Sequence, residues 1–379
     1  MTRIDTIGRG LLLSACWLLL TACAGQAVRT GAPALPNAPP PLAWQQDRLT
    51  IHTLPVGSGN CQIALCPHRD RMIVMDCGSS SSSPNGWSSA AIRTAITRML
   101  PPVGTDKPQL VVAVSHAHVD HYNHLAEVFD AALMNRFTPG KAFTADGRYS
   151  REFDNWIRNS GLARERKAND YSSTDPVEEL GCPTQLGEPT IVGRILAVNA
   201  GRSGSRNPDE NASSMVISLT YGSGDPYDAN AFRAIFTGDM TGLTEALIYH
   251  RVPTEFLSPT SVLTAAHHGA SSDQSNSFDW AERTRPQMLI VSSGSRGKHP
   301  DCQSIGNYLA AESIFRSDSH IVTCGQAGRS QPWELDRRVF GTKDTGLITV
   351  VARSDGSYSF PGASATSDDD AGRTVRPRR

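Results

Sequence analysis

The chain has 379 residues, with 36 Lys and Arg against 37 Asp and Glu, 39% hydrophobic and 19% charged, proportions that exclude disordered, collagen-like and coiled-coil proteins. A formal charge of -1 offers no global attraction to nucleic acid or acidic membrane, so any polyanion must be bound at a local site. Gly 32 and Pro 24 suit a loop-rich α/β body better than a helical bundle.

At the N-terminus Arg3 and Arg9 precede an apolar run from Leu11 to Ala22, the pattern of an export signal. The run is too short to span a bilayer, which takes roughly 20 residues. It closes on Leu20-Thr21-Ala22-Cys23, which resembles the bacterial lipoprotein cleavage box. The resemblance implies that residues 1–22 are removed and that Cys23 is lipidated, holding the protein to the cell envelope facing the periplasm. Each buried methylene of the acyl chains would add about 0.8 kcal/mol of anchoring. Residues 23–46, with Pro33, Pro36, Pro39, Pro40 and Pro41, read as a stiff extended tether.

Export puts the remaining cysteines, Cys61, Cys66, Cys77, Cys182, Cys302 and Cys324, where disulfides form. Sequence leaves their connectivity open, with buried free thiols as the alternative; Cys61 with Cys66 and Cys302 with Cys324 are the first pairs expected. No CxxC spacing occurs, so a cysteine zinc ribbon is not expected.

From Asp47 the chain alternates β-rich runs with helical stretches and has no fixed-period repeat, which predicts one mixed α/β domain over 47–362 and a solvated tail over 363–379. In chain order, strands are expected at Leu49–Leu54, Met72–Met75, Leu110–Ser115, Ile191–Val198, Met215–Tyr221, Phe232–Phe236, Val262–Ala266, Met288–Ser292, His320–Thr323 and Leu347–Ala352. Helices are expected at Ser88–Met99, Asn123–Met134, Arg148–Ser160, Leu243–Tyr249 and Asp301–Phe315. Asp355-Gly356 predicts a closing hairpin.

The strand Leu110–Ser115 runs directly into His116-Ala117-His118-Val119-Asp120-His121. Imidazoles two apart on extended chain point the same way and can share a divalent cation, while Asp120 and His121 can reach a second. Three imidazoles and a carboxylate so crowded would repel or stay unsatisfied without metal.

His-Ala-His-Val-Asp-His is similar to the HxHxDH signature of the metallo-β-lactamase fold. The segments 54–60 and 73–78, Asn211-Ala212-Ser213-Ser214, Phe236-Thr237-Gly238-Asp239, Ala266-His267-His268-Gly269, Ser293-Gly294 and His299-Pro300 follow in an order that resembles the hydrolase domain of ComEC-type competence proteins. The resemblance implies a four-layer αβ/βα sandwich and two divalent ions, Zn2+ foremost with Mn2+ as alternative. His116 and His118 would hold the first ion, Asp120 and His121 the second, and Asp239 would bridge them. His267, first off its strand, is expected as the further ligand, with His268 beside the substrate. His299 would contact an anionic leaving group or donate a proton. Asp76 and Asn211 would hold the surrounding loops.

The pattern departs from the family's at three points. Residues 197–211 contain no histidine where many members supply the first ion's third one; Asn60 stands where the family usually has Asp; and no multi-spanning channel is present. The chemistry implied is hydrolysis by metal-activated water, foremost of phosphodiesters, with Asp120, His268 and His299 as catalytic residues. Lactam, lactone or ester hydrolysis and a non-catalytic envelope binding protein are the alternatives. A monomer with a small-molecule or phosphodiester substrate and no strong nucleic-acid surface is expected.

Overall fold

The computed structural model describes residues 47–360 apart from 81–84, 168–170, 185–187, 201–208, 224, 226, 295–298 and 326–328. The expected signal, tether and tail all lie outside the described residues. Among the described residues no helix is long and apolar enough to cross a membrane.

Two sheets form the centre. The first has the order β16-β15-β1-β2-β3-β4-β5-β6, with β1 Leu49–Thr53, β2 Cys61–Leu65, β3 Arg71–Cys77, β4 Gln109–Val114, β5 Thr138–Thr144, β6 Ala163–Arg166, β15 Ile348–Ala352 and β16 Tyr358–Ser359. The second has the order β14-β11-β10-β9-β8-β7, with β7 Thr190–Ala197, β8 Val216–Gly222, β9 Phe232–Phe236, β10 Val262–Thr264, β11 Leu289–Val291 and β14 Val339–Gly341. β3 to β6 run parallel, as do β9, β10, β11 and β14. Most of these central strands are nearly continuous apolar runs, as strands covered on both faces must be.

Three apolar clusters define the layers. Ile51, Ile73, Met75 and Val111 of the first sheet meet Ile195, Ile217, Leu219 and Phe232 of the second in an inter-sheet core. Ile63, Met72, Val74 and Val112 face the other way, onto α1 Ser89–Met99, α2 Leu125–Val128, α3 Ala131–Met134 and α4 Arg151–Ser160. Leu196, Val216, Leu263 and Leu289 pack under α5 Gly242–Arg251, α6 Phe278–Thr284 and α7 Cys302–Ala310. Helix, sheet, sheet, helix is the four-layer αβ/βα sandwich expected, and burying each large aliphatic side chain contributes roughly 1.5–3 kcal/mol to it.

The helices start where their caps dictate. Ser88 Oγ accepts from Ala91 N at 3.3 Å before α1, and Ser150 Oγ from Phe153 N at 3.2 Å before α4, which stops at left-handed Gly161. The helix expected over 123–134 is two short ones, because Phe129 leaves helical geometry and Asp130 caps a new start by accepting from Leu133 N at 2.9 Å. The helix expected to reach Phe315 ends at Ala310; Glu312 has a φ of 54° and Arg316 already opens β12 Arg316–Cys324, which pairs with β13 Gln331–Arg337.

The disulfides join Cys61 to Cys77, Cys66 to Cys182 and Cys302 to Cys324. The third is the expected pair. The expected link of Cys61 to Cys66 is incorrect: both residues lie on or beside β2, and the antiparallel register sets Cys61 opposite Cys77 on β3. Cys66 instead reaches Cys182, which bridges to Ile191 of β7, so this bond ties one sheet to the other across a separation of 116 residues. Replacing Cys66 and Cys182 together by Ser is expected to lower unfolding stability by about 5 kcal/mol, from the chain entropy such a loop returns to the unfolded state. Equilibrium denaturation of the variant beside the parent measures it.

Candidate metal centre

In each sheet the chemistry-bearing residues follow the carboxyl ends of parallel strands. His116 to His121 follow β4, Asp239 follows β9, His267 and His268 follow β10, and Ser292 follows β11. Parallel strands all deliver their loops to one edge, so four separated segments arrive together there.

Two groups of donor atoms result. Atoms of His116, His118 and Asp239 lie within 4.8 Å of one another, and so do atoms of Asp120, His121 and His268. Asp239 stands between the groups: its Oδ1 is 3.1 Å from His121 Nε2, and its Oδ2 is 3.5 Å from His268 Nε2 and 3.9 Å from His116 Nε2. Asp120 Oδ2 is 3.5 Å from His268 Nε2. His118 is exposed and Asp120 half-buried; the other members are buried.

The outer nitrogen of each buried imidazole is held by a specific partner. His268 Nδ1 donates to the Ser292 carbonyl at 3.0 Å, and His121 Nδ1 to Asp76 Oδ2 at 2.8 Å. Asp76 is fixed in turn, its Oδ1 accepting from Ser115 N at 2.7 Å and its Oδ2 from Ser115 Oγ at 2.9 Å. With that hydroxyl proton committed, Ser115 Oγ is left to accept from His116 Nδ1 at 3.0 Å. All three rings therefore aim Nε2 inward. Among the described residues those three Nε2 atoms and Asp239 Oδ1 are buried with no hydrogen bond of acceptable geometry. Buried polar atoms left without partners are costly, and convergent imidazole and carboxylate lone pairs with ordered outer partners are what a divalent cation requires. The residues fit divalent metal.

The electrostatics point the same way. Burial holds the His116 imidazole well below its ordinary range, and the charge of His121 adds to this. For His121 burial also works against the charged form, but the Asp239 and Asp76 carboxylates outweigh it and raise its pKa well above the ordinary value. His268 is likewise raised by Asp239 and Asp120 against the effect of burial. Burial would raise Asp239 and Asp120, yet the neighbouring imidazoles hold both below the usual carboxylate range. Protons and cations thus compete for the same lone pairs.

His267 falls outside both groups. Its Nε2 is 3.9 Å from Asp239 Oδ2 and 3.4 Å from Asn211 Nδ2, and its ring centroid is 5.7 Å from that of His299. The cause is local: His267 and His268 both have left-handed backbone, φ 48° and 56°, so being first off the strand does not decide which ring turns inward. His299 Nδ1 is 3.7 Å from Asp301 Oδ1, and burial lowers the His299 pKa to about 4. Asn60 reaches the site through its backbone, its N–H donating to the Asp120 carbonyl at 3.3 Å. Gly59 and Gly78 permit this approach: a Cβ on either would lie 2.8 Å from Asp120 O and 2.5 Å from Tyr122 N, respectively.

Sequence reading assigned no role to Ser115 or Ser292, and none to Ser214 beyond its place in the 211–214 segment; Ser214 Oγ accepts from Asp239 N at 3.1 Å. For Ser115 and Ser292 the only signal is position, each directly following a strand.

No family model matches the chain, and no curated protein matches it. Among solved structures the chain is similar to human tRNase Z, short form (ELAC1), at 11% identity over 65% of this chain and 93% of that one, with a TM-score of 0.37. A diphosphatase from the PhnP family is similar at 11% identity over 76% and 98%, TM-score 0.36, and a long-form RNase Z from yeast at 12% identity over 69% and 39%, TM-score 0.36.

Added Zn2+ is expected to raise the thermal midpoint of chelator-treated protein, since saturation at a thousandfold excess over Kd stabilises by about 4 kcal/mol. His116→Ala should reduce that shift and His121→Ala should do the same, whereas His320→Ala, remote in the β12 strand, should leave it intact. Thermal melts with and without the ion read all three.

Proposed function

We propose that the chain is a dinuclear metal-dependent hydrolase of phosphodiesters, held to the cell envelope through Cys23. One observation carries the reading: two donor groups with the buried Asp239 of the first lying against His121 and His268 of the second, and the buried inward nitrogens of His116, His121 and His268 otherwise unsatisfied. His116, His118 and Asp239 would hold the first ion, and Asp120, His121 and His268 the second, with Asp239 lying between the two groups. His268 thus takes the ligand role expected of His267. Zn2+ suits these donors, and Mn2+ is tolerated by the carboxylates.

Divalent ions held there would supply acidification of water and neutralisation of charge at an attacked phosphorus. The protein's part is positional. Asp120 and Asp239 remain ionised, their carboxyls held low by the imidazoles. Asp76, Ser115 and Ser292 lock the ring orientations so that no ligand reorganises during the reaction. Residues 197–211 offer no histidine, so among these residues the first ion would be held by His116, His118 and Asp239 without a third imidazole from that segment. His267 and His299, partly exposed side by side, face substrate, and His299, neutral at pH 7, would hydrogen-bond a phosphoryl or leaving-group oxygen rather than surrender a proton. The ordered resemblance to the competence-type hydrolase domain favours the diester over a lactam or lactone.

The test uses protein from Ala43 onward, with bound metal measured and a generic phosphodiester, a phosphomonoester, a lactone and a cephalosporin assayed beside Asp120→Ala and Asp239→Ala. Two metal equivalents and diester turnover that drops to background in both variants are expected. Turnover confined to the lactone or cephalosporin would move the assignment to ester or lactam hydrolysis, and two bound ions with no turnover would indicate a binding protein.

A further inference from the structure

The turn that follows β10 carries both histidines in a backbone conformation that side chains disfavour. His267 lies at φ 48°, ψ 47° and His268 at φ 56°, ψ 22°, with Gly269 next at φ 82°. Left-handed backbone is unfavourable for a residue bearing a side chain, and such conformations persist only where the surroundings over-determine them. Main-chain bonds supply part of the restraint: His267 N donates to Gly238 O at 3.0 Å, and Ala270 N to His267 O at 2.9 Å.

A single buried side chain supplies much of the remainder. Asn276 Oδ1 accepts from Ala266 N at 2.9 Å and from the Tyr308 hydroxyl at 3.0 Å, while its Nδ2 donates to Ala266 O at 2.9 Å and to Ala270 O at 2.6 Å. Every hydrogen bond a primary amide can make is filled, and all but one go to the two residues that bracket the histidine pair. Asn276 is completely buried and is anchored in turn, its N–H donating to Glu245 Oε1 at 2.7 Å and its carbonyl accepting from Asn307 Nδ2 at 2.9 Å.

We propose that Asn276 is a positioning residue for the second ion: by gripping Ala266 and Ala270 it fixes the left-handed turn that aims His268 Nε2 at Asp120 and Asp239 and leaves His267 toward substrate. The inference rests on the dinuclear reading above. Neither His268 nor Asn276 selects this geometry alone; the ring needs its Ser292 partner and the backbone needs the amide. An aspartate at 276 has the same shape but loses both donors and turns an oxygen toward the Ala266 and Ala270 carbonyls.

The experiment measures Zn2+ affinity by competition with a chromophoric chelator for the parent protein, Asn276→Asp, His268→Ala and the double variant, with circular dichroism of the metal-free forms to verify folding. The parent should bind two equivalents. Asn276→Asp should keep the first and bind the second 10- to 100-fold more weakly, the range typical of lost outer partners of metal ligands. In the double variant Asn276→Asp should add nothing to the loss caused by His268→Ala, because it acts through that ring. Equal weakening of both ions, additive losses, or parental affinities in Asn276→Asp overturn the proposal. Should Asn276→Asp fail to fold, Tyr308→Phe removes one of the four amide bonds and should produce a few-fold loss confined to the second ion; no such loss overturns the proposal as well. A parent that binds no ion refutes the metal centre itself, whereas two ions bound alike by parent and Asn276→Asp refute only the positioning role.

Discussion

Three buried imidazoles cannot all turn their lone pairs toward two aspartates unless something holds each ring by its far side. The Asp76 carboxylate, the Ser115 hydroxyl and the Ser292 carbonyl do so, and each of them belongs to a different strand end. Much of the surrounding architecture is explicable as a means of delivering those outer partners. β3 must lie beside β4 for Asp76 to reach both Ser115 and His121, and β11 must lie beside β10 for Ser292 to meet His268. The sheet order and the orientation of the donors are one constraint seen at two scales.

The same constraint accounts for the close approach of the loops. Asn60 directly precedes β2 and Gly78 directly follows β3, and their backbones run against the Asp120 to Tyr122 turn at distances that leave no room for a Cβ at Gly59 or Gly78. On the other side Asp301 accepts from Ser271 N and Oγ at 2.8 and 2.7 Å, steadying the chain beyond the His267–His268 turn. The donors therefore sit between restrained segments rather than on free loops, which is how a site keeps its geometry against the repulsion of its own charges.

Much of this was legible in the sequence, because continuous apolar strands and a dense run of histidines and an aspartate carry strong signals. His116 to His121 and Asp239 meet in space, and the mixed α/β body follows from the alternation of elements, whereas its αβ/βα layering was implied by the family resemblance. What was illegible has physical reasons. β5 carries Pro139 and Gly140, β6 is Ala-Arg-Glu-Arg and β13 is polar, so none shows the apolar pattern of a buried strand, and of β12 only His320–Thr323 was expected because its first residues are polar. The pairing of Cys61 depended on the β2 register, which local sequence does not fix. The roles of His267 and His268 depended on two left-handed residues in succession, a conformation set by a partner nine residues downstream of the first.

The six cysteines of the body are all spent on one another. Among the described residues this leaves no thiolate for an incoming ion, and the donors at the centre are nitrogen and oxygen only. Such a site is poorly matched to soft cations such as Cu(I), and the cross-links that brace the sheets also narrow the range of elements the protein can accept.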